Sequence, residues 1–307
     1  MVELCILGTG ATMPVPGRAL TAVSLSCGGR TILFDCGEGT QLALRRHHVS
    51  PAKIDLIALS HYHGDHIFGL PGLLQTIGCL GRTEPLYFWG PQDLEAVLRP
   101  ILQLSGPMPF PIYLLKPSAG ALPLHELDKR WPREASLQAV PTVHRAPSQA
   151  YVFQLGRAGR FDAEKARALG VPQAQWSRLQ RGETVRVERK RIRPEQVMGP
   201  ARKGLRVVFS GDTAPCDALE KAARGADLLL HEATYGTDEQ ADQAALYGHS
   251  TFSQAGALAG RAAVRRLVLL HFSQILEEPE SYLPFARRYF PAAECGTDGQ
   301  RIQLRFE

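Results

Sequence analysis

The heptapeptide Ser60-His61-Tyr62-His63-Gly64-Asp65-His66 holds three imidazoles and a carboxylate. These donors suit zinc or a similar borderline cation. The heptapeptide follows directly on the apolar run IDLIALS. A strand ending there would send His61 and His63 to the same side, because alternate residues of a strand share a face. Gly64 permits a sharp turn, after which Asp65 and His66 begin a helix. Four donors so close in sequence can serve two adjacent ions and still leave positions open for water. The plainer reading, a polar loop with incidental histidines, fits poorly with three of the chain's ten histidines falling in six residues.

A two-ion centre needs more donors, and the ends of other apolar runs offer them. His144 follows SLQAVPTV, Asp212 follows LRVVFSG, and His271 closes RLVLLH. Each stands where a buried strand runs out, the usual place for active-site groups in α/β sheets. Taken singly, His144 or His271 reads equally well as a hydrogen-bonded core histidine. Together with the first cluster they supply what a two-metal centre lacks.

The elements that must position these residues are readable from apolar periodicity. ELCILG, AVSLSC, TILFDCG, IDLIALS, PLYFWG, PIYLLK, SLQAVPTV and AYVFQLG read as strands, as do LRVVFSGD, DLLLHEA, RLVLLHF and the closing QRIQLRF. Helices are predicted at residues 39–48, from near Asp65 through IFGLPGLLQTIGCL, at DLEAVLRPILQL, near DAEKARALG, and at CDALEKAARG and FSQAGALAGRAAV. Each half of the chain holds strands and helices and ends a strand in an acid or histidine. Two sheets packed face to face with helices outside fit that pattern. A length of 307 residues suits one large domain or two tightly joined halves.

Composition sets further bounds. A hydrophobic fraction of 44% and a charged fraction of 21% are ordinary for a soluble globular chain. The start, MVELCILGTGATMPVP, has no charged leader and too short an apolar run for a signal peptide, and no stretch approaches membrane-spanning length. A cytoplasmic protein is expected. Six cysteines are scattered singly without a C-x-x-C pair, which reads as reduced, mostly buried thiols. Only Cys36, in a Gly-rich turn, lies among other polar groups. The net charge of +5 is unevenly spread. Residues 157–193 hold eleven Lys or Arg against four acids, a local +7 that leaves −2 for the remainder. A solvated face is the plainer reading of any one basic run, but a single basic block on a near-neutral body suggests a polyanion partner. The block lies between the two halves, like an inserted arm.

The ordered set H-x-H-x-D-H, a later His, the Asp of S-G-D-T and a final His resembles the ligand set of the metallo-β-lactamase superfamily. Within it the chain resembles the ribonuclease Z family of tRNA 3′-processing endonucleases. The matching stretches are LGTGATMPVPGR, LFDCGEGTQ, IDLIALSHYHGDHIFGLPGLL, VHRAPS, FDAEKARALGVP, VMGPARKGLRVVFSGDT, HEATY, GHST and LLHFS. HEAT, HST and the insertion before SGDT are more specific to the family than the metal motif.

The resemblance implies an α/β fold: a four-layer αββα metallo-β-lactamase sandwich, one domain over 1–307 with an inserted tRNA-binding arm at about 155–195. It also implies two zinc ions per chain, one held by His61, His63 and His144, the other by Asp65, His66 and His271, with Asp212 bridging. Asp65 would double as proton acceptor. Two metals about 3.5–4 Å apart clamp the attacking and leaving oxygens of an in-line displacement at phosphorus. Water then attacks from outside, so the RNA's own 2′-hydroxyl need not. The family accordingly leaves a 3′-hydroxyl on the tRNA and a 5′-phosphate on the trailer. His249 of GHST, paired with Glu232 of HEAT, would stabilise the phosphate or protonate the leaving oxygen, since a carboxylate neighbour keeps an imidazole cationic. His231 of HEAT reads as a structural hydrogen-bonder. The implied partners are precursor tRNA and a second copy of the chain, with one subunit's arm gripping tRNA for the other's site.

Other motifs carry less. Gly8-Thr9-Gly10 has Met13 where a dinucleotide fingerprint needs its third Gly, so it reads as a tight turn near the substrate. Asp35, Gly37 and Glu38 are expected to order the groups behind the ligands, and His47, His48 and His125 to lie on the surface. The chain departs from the family at three places. The arm has VPQAQWSRLQ where a Gly-Pro-rich tip is usual, PSQAY replaces P-S-Y-G-Y after His144, and Ile275-Leu276 replaces Arg-Tyr after His271. Three rival readings stand beside this one. A different metallo-β-lactamase-fold phosphodiesterase or small-molecule hydrolase would need no +7 insertion and would not combine HEAT with HST. An oxygen-reducing diiron relative would place Glu at His63 and append a flavin domain. A non-catalytic RNA-binding protein would have lost at least one ligand.

Overall fold

Apolar runs without alternation must be buried on both faces, and the central strands of the first sheet are. In the computed structural model, which describes residues 1–116 and 120–307, β1 (Val2–Gly8), β2 (Ala22–Cys27), β3 (Arg30–Phe34), β4 (Ile54–Ala58), β5 (Leu86–Trp89) and β6 (Ile112–Leu114) join one sheet with the C-terminal β16 (Arg301–Leu304). Its order is β16-β1-β2-β3-β4-β5-β6. Every residue of β3 and β4 is buried. From β3 to β6 the pairing is parallel, Leu56 of β4 lying opposite Ile32 and Tyr87.

The second seven-stranded sheet holds β7 (Leu122–Pro123), β8 (Ala135–Pro141), β9 (Gln149–Arg157), β12 (Arg202–Phe209), β13 (Leu228–Glu232), β14 (Leu267–Leu270) and β15 (Glu294–Cys295), in the order β15-β14-β13-β12-β9-β8-β7. Strands β12 to β15 run parallel. The remaining pair, β10 (Val185–Val187) and β11 (Lys190–Ile192), forms a separate hairpin.

The sheets meet face to face through aromatic rings. Phe34 of β3 stacks on Phe209 of β12 at 5.3 Å between centroids and lies 5.7 Å from Tyr151 of β9. The buried Tyr151 hydroxyl sits 2.9 Å from the carbonyls of Leu59 and Trp89 and accepts from Gln149 Nε2 at 2.6 Å. That suture ties the second sheet to the chain leaving β4, where the His cluster begins. Burial of each such ring contributes roughly 1.5–3 kcal/mol.

The helices are α1 (Thr40–Arg46), α2 (Gly64–Ile67), α3 (Leu70–Cys79), α4 (Leu94–Ser105), α5 (Ala163–Ala168), α6 (Trp176–Gln180), α7 (Asp217–Ala223), α8 (Ala241–Tyr247), α9 (Phe252–Arg261) and α10 (Leu283–Arg287). Leu44, Leu73, Ile77 and Leu98 carry α1, α3 and α4 onto the outer face of the first sheet. Leu219, Phe252, Leu258 and Ala286 do the same for α7, α9 and α10 on the second. The result is the αββα sandwich anticipated from the sequence. The single helix predicted from Asp65 through Leu80 is instead split into α2 and α3. Gly69 lies between them against the 36–37 backbone: its amide donates to the Cys36 carbonyl at 2.9 Å, and a Cβ there would fall 2.2 Å from the Gly37 oxygen. Pro71 then sits in the first turn of α3, where its missing N–H costs nothing.

Contacts divide the described chain into two units, one of Met1–Gln154 with Arg206–Arg305 and Glu307, the other of Leu155–Leu205 with Phe306. The second unit has its own small core of Ala166, Val171, Leu179, Val185, Ile192 and Val197. Asp162 caps α5 by accepting from the amides of Glu164 and Lys165. Trp176 donates to the Val171 carbonyl at 3.0 Å and packs its ring on Phe161. VPQAQWSRLQ, expected at the arm's tip, therefore supplies this unit's core. The β10–β11 hairpin exposes Arg186, Arg189, Lys190 and Arg191 while burying Val185 and Ile192. Among the described residues no helix is long and apolar enough to cross a membrane.

Candidate metal centre

His61, His63, Asp65, His66, His144, Asp212 and His271 come together in the first unit, at the ends of β4, β8, β12 and β14. Strand alternation does not place His61 and His63, because β4 stops at Ala58 and both histidines lie in the following loop. Asp35 holds that loop instead. Its Oδ1 accepts from the Ser60 amide at 2.6 Å, and its Oδ2 accepts from Ser60 Oγ at 2.8 Å and lies 2.7 Å from His66 Nδ1. Asp35 is fully buried and adopts φ +54, a left-handed conformation sustained by these bonds. Of its neighbours, Gly37 is buried and Glu38 is exposed, so only Asp35 is seen behind the histidines.

The remaining donors are fixed in the same way. Four imidazoles are anchored through Nδ1, leaving Nε2 for the centre: His61 on Ser60 Oγ at 3.0 Å, His66 on Asp35, His144 on the Gly248 carbonyl at 2.7 Å, and His271 on Thr234 Oγ1 at 2.9 Å. His63 presents Nδ1 instead, 3.0 Å from His61 Nε2 and 3.2 Å from His144 Nε2. Asp212 Oδ2 lies 3.3 Å from both His66 Nε2 and His271 Nε2 and 3.5 Å from His61 Nε2. Asp65 Oδ2 stands 3.5 Å from His271 Nε2 and accepts from the Thr12 amide at 2.7 Å. Gly211 makes the approach of Asp212 possible. Its φ is +57, and a Cβ there would fall 2.5 Å from Ser60 Cβ.

The donor atoms fit metal ions on three counts. His61, His63, His144 and Asp212 form one convergent set, and Asp65, His66 and His271 another. Their nitrogens stand 3.0–3.2 Å apart, close to the roughly 3.3 Å edge of a tetrahedron with Zn–N bonds of about 2.0–2.1 Å. Asp212 Oδ1 is buried with no hydrogen-bond partner among the described residues, a vertex that a cation would satisfy. In the first set the electrostatics agree; in the second, burial is outweighed by the Asp212 and Asp35 carboxylates, which lift His66 well above the ordinary imidazole range. Burial pushes His61, His63 and His144 below the ordinary imidazole range, keeping them neutral with lone pairs to give. Burial alone would raise Asp212, but the surrounding imidazoles of His271, His66 and His61 hold it well below the carboxylate range.

His249 and Glu232 form a second feature beside this cluster. His249 Nδ1 lies 2.8 Å from Glu232 Oε1 and 3.2 Å from Thr234 Oγ1. Burial works against a charge on His249, but the Glu232 carboxylate outweighs it and lifts the pKa to about 9. Glu232 is itself fixed by the Thr213 amide and by the amide and hydroxyl of Thr234. His249 also groups with Asp212 and His271 as a possible third donor set, but its Nδ1 is taken by Glu232 and stands 4.0 Å from Asp212 Oδ2. His231 is buried, its Nδ1 2.7 Å from the Glu232 carbonyl. Sequence reasoning missed Thr234 and Thr12. The first was visible only as the letter after HEA, and the second acts through its backbone. His48 is exposed as expected, whereas His47 and His125 are half-buried. Cys36 is fully buried, and burial pushes its thiol far up, so it is inert.

Fold and cluster together define a hydrolase of the metallo-β-lactamase superfamily. Residues 25–140 match the Metallo-beta-lactamase superfamily and residues 125–272 the Beta-lactamase superfamily domain. The chain is 38% identical over 308 residues to "Ribonuclease Z" of Agathobacter rectalis, covering 100% of this chain and 99% of that one. It is 36% identical over 315 residues to "Ribonuclease Z" of Clostridium perfringens, covering both in full. Among solved structures, human tRNase Z, short form, superposes with a TM-score of 0.66 at 27% identity, covering 99% of this chain and 100% of that one. The chain belongs to the ribonuclease Z family.

Proposed function

We propose that the protein is a two-zinc endoribonuclease that removes the 3′ trailer from precursor tRNA, leaving a 3′-hydroxyl on the tRNA and a 5′-phosphate on the trailer. The observation that carries this reading is the position of Asp212 Oδ2 between two sets of imidazoles, in a chain of the ribonuclease Z family. His61, His63 and His144 would hold one ion and Asp65, His66 and His271 the other, with Asp212 shared. Bound there, the ions would polarise the phosphoryl oxygens and lower the pKa of a water.

The remaining steps belong to the side chains. Asp65, steadied by the Thr12 amide, accepts the proton of the attacking water as the oxygen–phosphorus bond forms. His249, kept cationic by Glu232, donates a proton to the 3′-oxygen as its bond to phosphorus breaks. The Leu155–Leu205 unit carries thirteen Lys or Arg against five acids, a net +8 that leaves −3 for the remaining chain. We assign it as the tRNA-binding arm inserted in one metallo-β-lactamase domain, with the protein working as a cytoplasmic homodimer. The test is metal analysis of the purified protein together with incubation of an end-labelled tRNA bearing a 3′ trailer. Two zinc ions per chain and a single cut at the trailer junction are expected. An intact RNA, or cutting by a metal-free preparation, would refute the reading.

A further inference from the structure

Beside His144 opens a cleft of about 510 Å³ lined by residues of two loops, among them Gln92, Thr142, Arg145, Ser148 and Gln149. Its volume falls within the range of small-ligand clefts, about 300–1,000 Å³. Its second loop is braced before any ligand arrives. Thr142 and Ser148 pair across the neck, hydroxyl to hydroxyl at 2.8 Å and amide to carbonyl at 3.1 Å. The Val143 amide donates to Thr213 Oγ1, the Ala214 amide donates back to the Val143 carbonyl, and the Gln149 amide donates to the Ser60 carbonyl. The loop that carries His144 into the metal centre therefore also fixes the cleft wall one residue away.

The chemistry of the lining points to RNA. Arg145 is the cleft's one cation, and no carboxylate lines it. The guanidinium lies over the Tyr247 ring, 5.0 Å from its centroid, which orients the plane and leaves its N–H edge unengaged by any acid among the described residues. Tyr247 is itself 38% exposed. An Arg plane held against an aromatic ring, with a free amide nearby, is what single-stranded nucleotides use: phosphates pair with the guanidinium edge, bases stack on its plane, and base edges bond to amides. The Gln92 amide has no partner among the described residues and stands in that wall.

We propose that this cleft receives a nucleotide flanking the scissile phosphodiester, with Arg145, braced on Tyr247, binding that nucleotide's non-scissile phosphate and Gln92 meeting the edge of its base. The proposal rests on the endoribonuclease reading and names a specificity subsite for it. It explains why a cation stands directly after a metal-facing histidine without touching the metal-facing atoms.

The test uses the full-length, metal-loaded protein and its Arg145→Ala, Arg145→Lys, Tyr247→Phe and Tyr247→Leu variants. Three readouts are needed: cleavage of precursor tRNA, hydrolysis of bis-p-nitrophenyl phosphate, and binding of a short fluorescein-labelled oligoribonucleotide by anisotropy. Arg145→Ala should weaken oligoribonucleotide binding and precursor cleavage by about tenfold, mostly in KM, and flatten the salt slope by about one. Its metal content and small-phosphodiester rate should match the parent. Arg145→Lys and Tyr247→Phe should retain much of the function, and Tyr247→Leu should resemble Arg145→Ala. Parental binding by Arg145→Ala overturns the subsite. So does an equal loss on the small substrate, which would mean the residue merely supports His144. If the parent protein binds the oligoribonucleotide through Arg145 yet never cuts precursor tRNA, the processing assignment fails while the subsite stands.

Discussion

At the residue scale the site separates groups that should hold metal from a group that should move a proton. Asp212 stands between the two donor sets and His66 belongs to one of them, so Asp212→Ala or His66→Ala should lose metal and phosphodiester hydrolysis together, measured by elemental analysis and bis-p-nitrophenyl phosphate turnover. One tightly bound ion in a fully active parent preparation would contradict the paired assignment. His249→Ala should instead keep its metal and lose roughly 10²–10⁴-fold in rate on precursor tRNA, the scale of general acid–base assistance. The pH profile adds an independent check. With its pKa raised to about 9, His249 is cationic below that value and loses its proton as pH rises through it. A rate that needs the cation therefore falls on the alkaline side. Glu232→Gln removes the charge that sustains the cation, so the alkaline limb should move to lower pH. An unmoved limb would detach Glu232 from the proton donor.

At the element scale, short loops behind the strands do the positioning, and two of them make sharp predictions. Asp35 joins the end of β3 to the loop after β4 and to His66 of α2. Groups of this kind typically contribute 10–100-fold in metal affinity, so Asp35→Ala should weaken metal binding by that amount in a chelator competition, even though Asp35 is outside the proposed ligand set. Gly211→Ala tests the turn that delivers Asp212. A left-handed non-Gly residue costs about 1–2 kcal/mol, and the added Cβ also meets Ser60. The backbone cost alone should lower Tm by about 1.5–3 °C, with weakened metal binding. A variant melting and binding metal like the parent would show that the turn has slack.

At the scale of the whole molecule, basicity and apolar burial are divided between the two units. The Leu155–Leu205 unit has a core of its own, which joins Val185 and Ile192 to Val197. A clean excision must therefore remove Val197 along with the hairpin. Replacing residues 158–200 with a short Gly/Ser linker should spare bis-p-nitrophenyl phosphate hydrolysis and metal content, because every proposed ligand lies in the other unit. Precursor tRNA cleavage should drop by orders of magnitude, and binding should lose most of its salt dependence, since lost phosphate contacts release fewer counterions. Parental cleavage with a parental salt slope would place the tRNA grip elsewhere.

The strands ending at the histidines and acids were legible from the sequence because a run such as IDLIALS or LRVVFSG cannot be solvated. Such a run must be buried, and burial fixes where it stops. The layering followed from the same runs: strands apolar on both faces require a sheet on one side and helices on the other. Periodicity left a few short pieces, such as α6, α10 and β15, unread, because they span too few turns or alternations, and carry too short an apolar run, to show a pattern. The local geometry of the cluster was unreadable for a different reason. His61 and His63 converge through a loop held by Asp35, not through alternation along β4, and Thr234 and the Thr12 amide act on residues far away in the chain. Hydrogen bonds between loops leave no periodic trace. They exist only once face-to-face packing of the two sheets, through Phe34, Tyr151 and Phe209, brings the ends of β4, β8, β12 and β14 to one place.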